Sequence, residues 1–595
     1  MKKTNINLVA SFLLATNLYS QTTTLETITV TSATKSEQKL KDVTANVDVI
    51  TAEDIESRKF KTVAEALNSL SGISISTYGG IGQAGSMYLR GMDAGKTLVL
   101  VDGIRYNDPS GFNGANFEHL MINDIERIEV IKGAQSSIWG ADASAGVINI
   151  ITKSAQNGTH GNASFEYGRY DTKIAKANIS HKNENFDAKL GVTRVDTNGF
   201  SAMSPKSSQA KNYEKDAYEN TSANIKLGYN LDENNRISTS YEVIDTKVNY
   251  DNTANDDEIA NNLTHLANIT YENKNDIAIT KIYTNYTDIK REYTMYTPKY
   301  EGMIREYGIN TNIDYLSSSN LVLGADYKKF ENKANLEKDY NNKGIFISNT
   351  NKFFDDKTIF TQALRYDRYS DFDNKTTGKI GIKQYIIDEL NVSSNYGTGY
   401  NVPTFSQLYG QYGPNPDLNP EKTKSYDIGI EYKGFSITYF NTEIKNLIAN
   451  PTWSKYVNLE GTSKIKGTEI AYKNEVVEDT FLNLSYTNLS AKDKDNKELG
   501  RRPHNKFGFG VDYYGLKDFH FNVNGEYIGT RYDGNNKQGA KTGNYTIWNA
   551  VVDYDISKNF STYLKLDNIF NKDYQIVDGY ATSQRAAYVG LKASF

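Results

Sequence analysis

No cysteine occurs anywhere in the 595 residues, so neither disulfides nor thiolate metal sites are available. A chain of this size without such staples calls for a closed, hydrogen-bonded architecture. Proline is scarce, at 9 residues, which suits long and uninterrupted strand pairing. The six histidines are scattered, and no H-E-x-x-H, paired-carboxylate setting or Ser/His/Asp set accompanies them. Nothing in the residues supports an enzyme. A basic excess is also missing: the net charge is -5, which argues against a nucleic-acid partner. Mean hydropathy is low, at -0.60, and only Ile6–Tyr19 forms a long apolar run. That run is too short to span a bilayer comfortably. It follows Lys2 and Lys3 and leads into small or polar residues at Thr16–Ser20, so residues 1–20 read as a secretory signal peptide. No cysteine follows it, which argues against a lipid anchor.

Aromatic residues are present in unusual proportion: 44 Tyr and 24 Phe against only 3 Trp. Amphipathic rings in excess fit the girdles of a membrane interface. From about Gly161 the chain alternates apolar and polar residues. Phe186, Ala188, Leu190 and Val192 share one face; so do Phe507, Phe509, Val511 and Tyr513, and Phe519, Phe521 and Val523. Val589, Leu591, Ala593 and Phe595 close the chain in the same way. Such segments, separated by Asn/Asp/Gly/Lys clusters, predict a transmembrane β-barrel over residues 160–595. With about 9–11 residues per spanning strand, a plugged barrel of about 22 antiparallel strands uses roughly 220 residues. The remainder goes into long outer loops, with candidates at 198–219, 248–262, 414–424 and 533–544.

Residues 32–155 have a different, mixed α/β pattern. Thr51 and Asp54 form a capping box, and a second helix follows at Thr62–Leu70, ended by Gly72. Short strands are expected at Thr97–Val101, Ile125–Ile131 and Val147–Thr152. Gly80-Ile-Gly82-Gln-Ala-Gly85 satisfies G-x-G-x-x-G, but a strand-like Ser86–Leu89 follows where a dinucleotide site needs a helix.

The stretch LRGMDAGKTLVLVDGIRYND from Leu89, with IERIEVIKGAQSSIWGADASAGVINIITK ending at Lys153, resembles the plug of the TonB-dependent outer-membrane receptors. The resemblance implies an outer-membrane barrel of a Gram-negative bacterium with the plug inside its lumen, importing a scarce ligand without ATP. It also implies TonB with its inner-membrane energy-coupling complex as partner, and a surface lipoprotein as a further one. Residues 25–31 resemble the Ton box, so Glu26, Thr27, Ile28, Thr29, Val30 and Thr31 are expected to bind TonB by strand addition. Arg90, Arg127 and Lys132 are expected to pair with acids on the inner barrel wall.

Asn395–Lys424, IKGTEI at 465–470, YIGTRYD at 527–533 and Asn568–Tyr580 resemble the cobalamin-receptor branch of that family. Cobalamin or a related corrinoid is therefore the expected ligand, with Gln83, Ser86, Asp93, Gly111, Phe112, Asn252 and Arg501 expected to contact it. By the same resemblance Asn212, Glu214, Asp216, Tyr250 and Asp251 stand at calcium positions, and flexible oxygen donors suit that ion. Ser201 stands where an Asp is expected, and Asp256, Asp257 and Glu258 are alternative donors. A ferric siderophore is the rival ligand. Haem fits less well, because no His lies between His265 and His504. A passive porin or a surface adhesin would lack both plug and Ton box.

Overall fold

The computed structural model describes residues 28–111, 114–204, 214–251, 258–294, 299–316, 319–334, 336–450 and 454–595. The expected signal peptide, Glu26, Thr27, Phe112, Asn212, Asn252, Asp256 and Asp257 lie outside them.

Twenty-two antiparallel strands close into a barrel, from Gly158–Gly168 to Ala586–Ser594. These two end strands pair with each other, Phe165 opposite Leu591, so no edge is left open. The alternation sorts side chains as the pleat requires. Leu190, Val192, Val589 and Leu591 are exposed on the outside, while Lys189, Asn220, Arg365 and Asp427 point into the lumen and are buried there. No helix among the described residues is long and apolar enough to cross a membrane. The strands do the spanning.

The lumen holds the α/β plug. Its main sheet runs Val47–Thr51, Ile125–Lys132, Gly146–Thr152, Thr97–Val101, Ile104–Arg105, and only the pair Gly146–Thr152 with Thr97–Val101 is parallel. A second sheet joins Ile73–Thr77, Gly85–Leu89 and Met92–Asp93. Helix α1, Ala52–Arg58, starts at the expected capping box, with Thr51 and Asp54 bonded reciprocally. Helix α2, Val63–Asn68, is capped by Thr62 but ends two residues before Leu70. Val63, Ala66 and Leu67 pack into the plug core with Ile73, Leu89 and Ile128.

Two outer segments carry more structure than expected. The stretch before the strand Glu421–Tyr432 includes a short helix, Phe405–Tyr409, capped by Thr404 and Gln407. The segment 533–544 is folded over by a small pairing of Arg531–Tyr532 with Lys541–Thr542.

Candidate functional site

The mouth of the barrel is built around the plug loop Tyr78–Gln83. Gly82 has φ +81, and a Cβ there would run into the Tyr218 ring, so only glycine lets the loop lie this close to the wall. Tyr78 packs edge-on against Tyr580 at 4.9 Å and lies under the Arg501 guanidinium at 5.0 Å. Arg501 also bonds the Tyr78 hydroxyl and donates to Asp533 at 2.8 Å. Neighbouring Arg502 is buried; it holds Asp93 at 2.7 Å and donates to the Gly91 carbonyl at 2.6 Å. An apolar ledge of Tyr170 and Phe200, 5.0 Å apart, flanks the loop. Aromatic faces beside a few fixed polar groups suit a large amphipathic ligand.

The structure brings some expected ligand residues together and separates others. Arg501 and Asp93 stand on one side of the mouth, Asp93 bonded to Arg502, the chain neighbour of Arg501. Ser86 lines the cavity below the loop. Gln83 is buried, and its amide donates to the Asn249 carbonyl at 2.6 Å, so it ties the loop to the barrel. Gly111 lies elsewhere, where a Cβ would approach Arg291 at 3.2 Å and where the adjacent Ser110 carbonyl accepts from Ser406. Tyr78, Phe200, Tyr580 and Arg502 were not singled out from sequence. Tyr78 stands next to Gly79-Gly80, and an aromatic at the edge of a glycine loop was the available signal.

Among the calcium positions, Asp216 and Asp251 stand side by side just outside the spanning strands. Asp216 accepts from the Ala202 N–H, and Asp251 accepts from the Met203 N–H at 3.0 Å. Glu214 offers both its carboxylate oxygens, and Asp251 one of its own, without a hydrogen-bond donor. Burial, with neighbouring negative charge added, pushes Asp216 up to about 8 and Asp251 up to about 6. Tyr250 packs edge-on against Tyr293. Among the described residues no three His, Asp or Glu side chains converge on a point suited to a metal ion. A calcium site here therefore needs further oxygens, from Asn212 or from residues 252–257.

At the other end, Thr29–Val30 pairs with Gln38–Lys39, and Val30 is fully buried. The Thr31 and Ser32 N–H groups both donate to the Glu129 carboxylate, and Trp139 Nε1 donates to the Ser32 carbonyl at 2.8 Å. The described part of the segment expected to be offered to TonB, residues 28–31, is thus folded against the plug.

Buried charges fasten the plug most densely along one side of the lumen, with Lys189–Asp124 at 2.6 Å and Lys61–Glu166 at 3.5 Å as buried ties elsewhere. Arg90 reaches Glu469 at 2.9 Å and Asp427 at 3.2 Å, and Lys132 reaches Glu469 at 3.3 Å. Lys96 meets Glu421 at 3.2 Å, and Lys35 meets Asp326 at 3.4 Å beside the Arg365–Asp326 pair. Arg127 differs from expectation. Its partners, Glu126 and Glu129, belong to the plug itself. On the opposite side, a cavity of about 390 Å³ separates the plug from the wall.

The residues 39–147 match the model of the TonB-dependent receptor plug domain, and 140–569 match that of the TonB-dependent receptor-like β-barrel. The chain belongs to the TonB-dependent receptors. It is an outer-membrane protein, and its family is one of receptors and transporters. A vitamin B12 transporter, BtuB of Photobacterium profundum, is 26% identical over 626 aligned positions, covering 100% of both chains. Solved structures share the fold at lower identity. A ferric enterobactin receptor of Pseudomonas aeruginosa matches with a TM-score of 0.81 at 18% identity, over 95% of this chain and 100% of that one. The siderophore receptor PirA of Acinetobacter baumannii matches at 0.80 and 18%, over 92% and 98%. Fiu of E. coli K12, a ferric-catecholate import receptor, matches at 0.77 and 17%, over 94% and 98%.

Proposed function

We propose that this receptor imports cobalamin or a related corrinoid across the outer membrane, driven through TonB by the inner-membrane proton gradient. The observation that carries the reading is the end-to-end correspondence with a vitamin B12 transporter, 26% identical over the whole of both chains. The siderophore receptors share the fold at 17–18% identity, and that likeness carries no ligand. The mouth is compatible with a corrinoid, whose broad apolar face and amide rim match the Tyr78–Tyr580 rings and the Arg501–Arg502 pair.

Ligand seated above Tyr78–Gln83 shifts the plug's ensemble and frees Ile28–Thr31 toward the periplasm, where TonB adds its own strand. Calcium belongs to the same reading. A divalent ion taken by Asp216 and Asp251, with further oxygens from Asn212 or from residues 252–257, offsets the repulsion of the two carboxylates and braces the outer loop.

Binding and uptake of cyanocobalamin and of ferric enterobactin, each with and without calcium, test the proposal in cells whose only such receptor is this one. Saturable cobalamin binding that tightens with calcium, together with accumulation, is the expected outcome. Enterobactin uptake without cobalamin binding would overturn it. Ile28→Pro removes the ladder donor at residue 28 and fixes φ. That variant should keep surface binding and lose accumulation; loss of binding would contradict the Ton-box assignment.

A further inference from the structure

The 390 Å³ cavity is roofed by Gly79–Gln83 and Phe200. Its outer wall is supplied by the strands from Thr480–Lys492 to Ala586–Ser594 and by Tyr170 and Thr172. Tyr545, Tyr574 and Tyr588 give it aromatic faces. Arg58, the last residue of α1, lines it where a Cβ on Gly510 would meet the guanidinium at 2.8 Å.

Most charged groups along the cavity are engaged. Lys61 meets Glu166 at 3.5 Å and covers the Tyr588 ring; Lys565 meets Asp567 at 3.5 Å and donates to the Lys59 carbonyl. Arg531 donates to Thr542 and Tyr545. Glu65 accepts the Lys61 N–H, and Glu526 accepts from Asn68 at 2.9 Å. Glu118 has no ion-pair partner among the described residues, and burial pushes it up to about 7, which weakens its charge. Asp54, on the same helix as Arg58, is taken by Lys473 at 2.5 Å.

Arg58 is the exception. It is only 8% exposed, and among the described residues it has no hydrogen bond and no ion pair; Phe60 lies 5.9 Å from its guanidinium. Its guanidinium nitrogens are not sealed off but open on the cavity, so a charged fork with five N–H donors stands there free to take an oxygen ligand. The floor beneath, α1, is tied to the barrel at its water-facing end by Lys59–Asp553 at 2.7 Å and Glu56–Lys592 at 3.0 Å.

We infer that this cavity is an inner transit site, and that Arg58 there receives an anionic oxygen group, a phosphodiester or a carboxylate, of the ligand leaving the mouth. The guanidinium fork matches such a group with two parallel hydrogen bonds, and the surrounding rings accept the ligand's apolar body. The inference rests on the import reading for its cargo, while the anion site itself stands on the residues around Arg58.

Phenyl phosphate, an anion attached to one ring, is the probe for purified full-length receptor. Titration should show saturable binding that weakens by about tenfold or more in Arg58→Gln and returns in Arg58→Lys, as expected for loss of a charge-assisted hydrogen bond. Thermal unfolding of all three proteins distinguishes a local effect from damage to the plug. In cells, Arg58→Gln should slow cyanocobalamin import at saturating external ligand, and Arg58→Lys should restore it. Absence of saturable phosphate binding to the wild type, or equal binding by Arg58→Gln, would overturn the inference. Failure of the corrinoid reading shows separately, as wild-type protein that binds no cobalamin, and leaves the phosphate titration decisive.

Discussion

Along one half of the barrel, from the strand Lys299–Tyr315 to Val457–Val477, the plug is held by charges with almost no access to water. Arg90, Lys132, Lys96 and Lys35 each reach a buried acid there. Along the other half, α1 is fastened by Glu56–Lys592 and Lys59–Asp553, whose acids are partly open to solvent. Above those pairs lies the cavity. The same kinds of residue do different jobs on the two walls. A buried pair whose partner is removed leaves an uncompensated charge, whereas a solvated pair gives way at little cost. Lys61–Glu166 and Lys189–Asp124 are buried ties on the second half as well, so the part of the wall built to release the plug is the part beside α1.

The largest effect should come from the anchored wall. Glu469→Ala leaves Arg90 and Lys132 facing each other without their shared acid, a loss of about 3–5 kcal/mol. Calorimetry should show a markedly lower unfolding temperature, and protease should reach the plug; an unchanged protein would remove the distinction between the walls. Next comes the handle. Glu129→Gln weakens the bonds from the Thr31 and Ser32 N–H groups by about 1.5–3 kcal/mol. A spin label at the half-exposed Thr29, immobile in the parent protein, should then become mobile without ligand, whereas an immobile label would mean that Glu129 does not hold the segment.

A pH effect should appear at the top of the cavity wall. Asp216, raised to about 8, and Asp251, raised to about 6, hold protons more tightly folded than unfolded. The folded loop therefore gains stability that is fully present below the ordinary value of 3.8 and is lost progressively as pH rises to about 6 for Asp251 and about 8 for Asp216. Hydrogen exchange at Ala202 and Met203 should be faster at the upper end of that window, and calcium should abolish the difference. Equal exchange throughout would show that the carboxylates do not repel. The smallest change is expected at the floor: Lys592→Ala, which removes the solvated pair with Glu56, should cost only about 0–1 kcal/mol, read in the same calorimeter.

Much of this was legible in the residues. Period-2 alternation located the lipid-facing side chains, and Thr51 with Asp54 announced α1. What alternation does not give is a partner across the lumen, because register and barrel closure decide which acid faces which base. Arg90 and Lys132 found barrel acids as expected. Arg127 did not, and the reason was within reach: Arg127 and Glu129 are two apart on one strand and share a face. The helix Phe405–Tyr409 was missed although Thr404 and Gln407 have capping-box spacing, because five residues are too few to show a helical period. The packing of Thr29–Val30 on Gln38–Lys39 depends on a hairpin that no turn motif marks. At the mouth, resemblance pointed to Arg501 and Asp93 but not to Arg502, whose buried guanidinium holds Asp93 beside its chain neighbour Arg501.

The absence of native cysteine allows the two walls to be locked one at a time. A Cβ on Gly397 would lie 3.3 Å from the Cβ of Ala134, near the separation a disulfide requires, so Ala134→Cys with Gly397→Cys fixes the plug to the anchored wall. Glu56→Cys with Lys592→Cys, joined by a short cleavable thiol cross-linker, fixes α1 to the other. Uptake of cyanocobalamin should persist with the first lock closed, stop with the second, and return when the second is cleaved. Uptake that stops with the first lock and continues with the second would contradict the account.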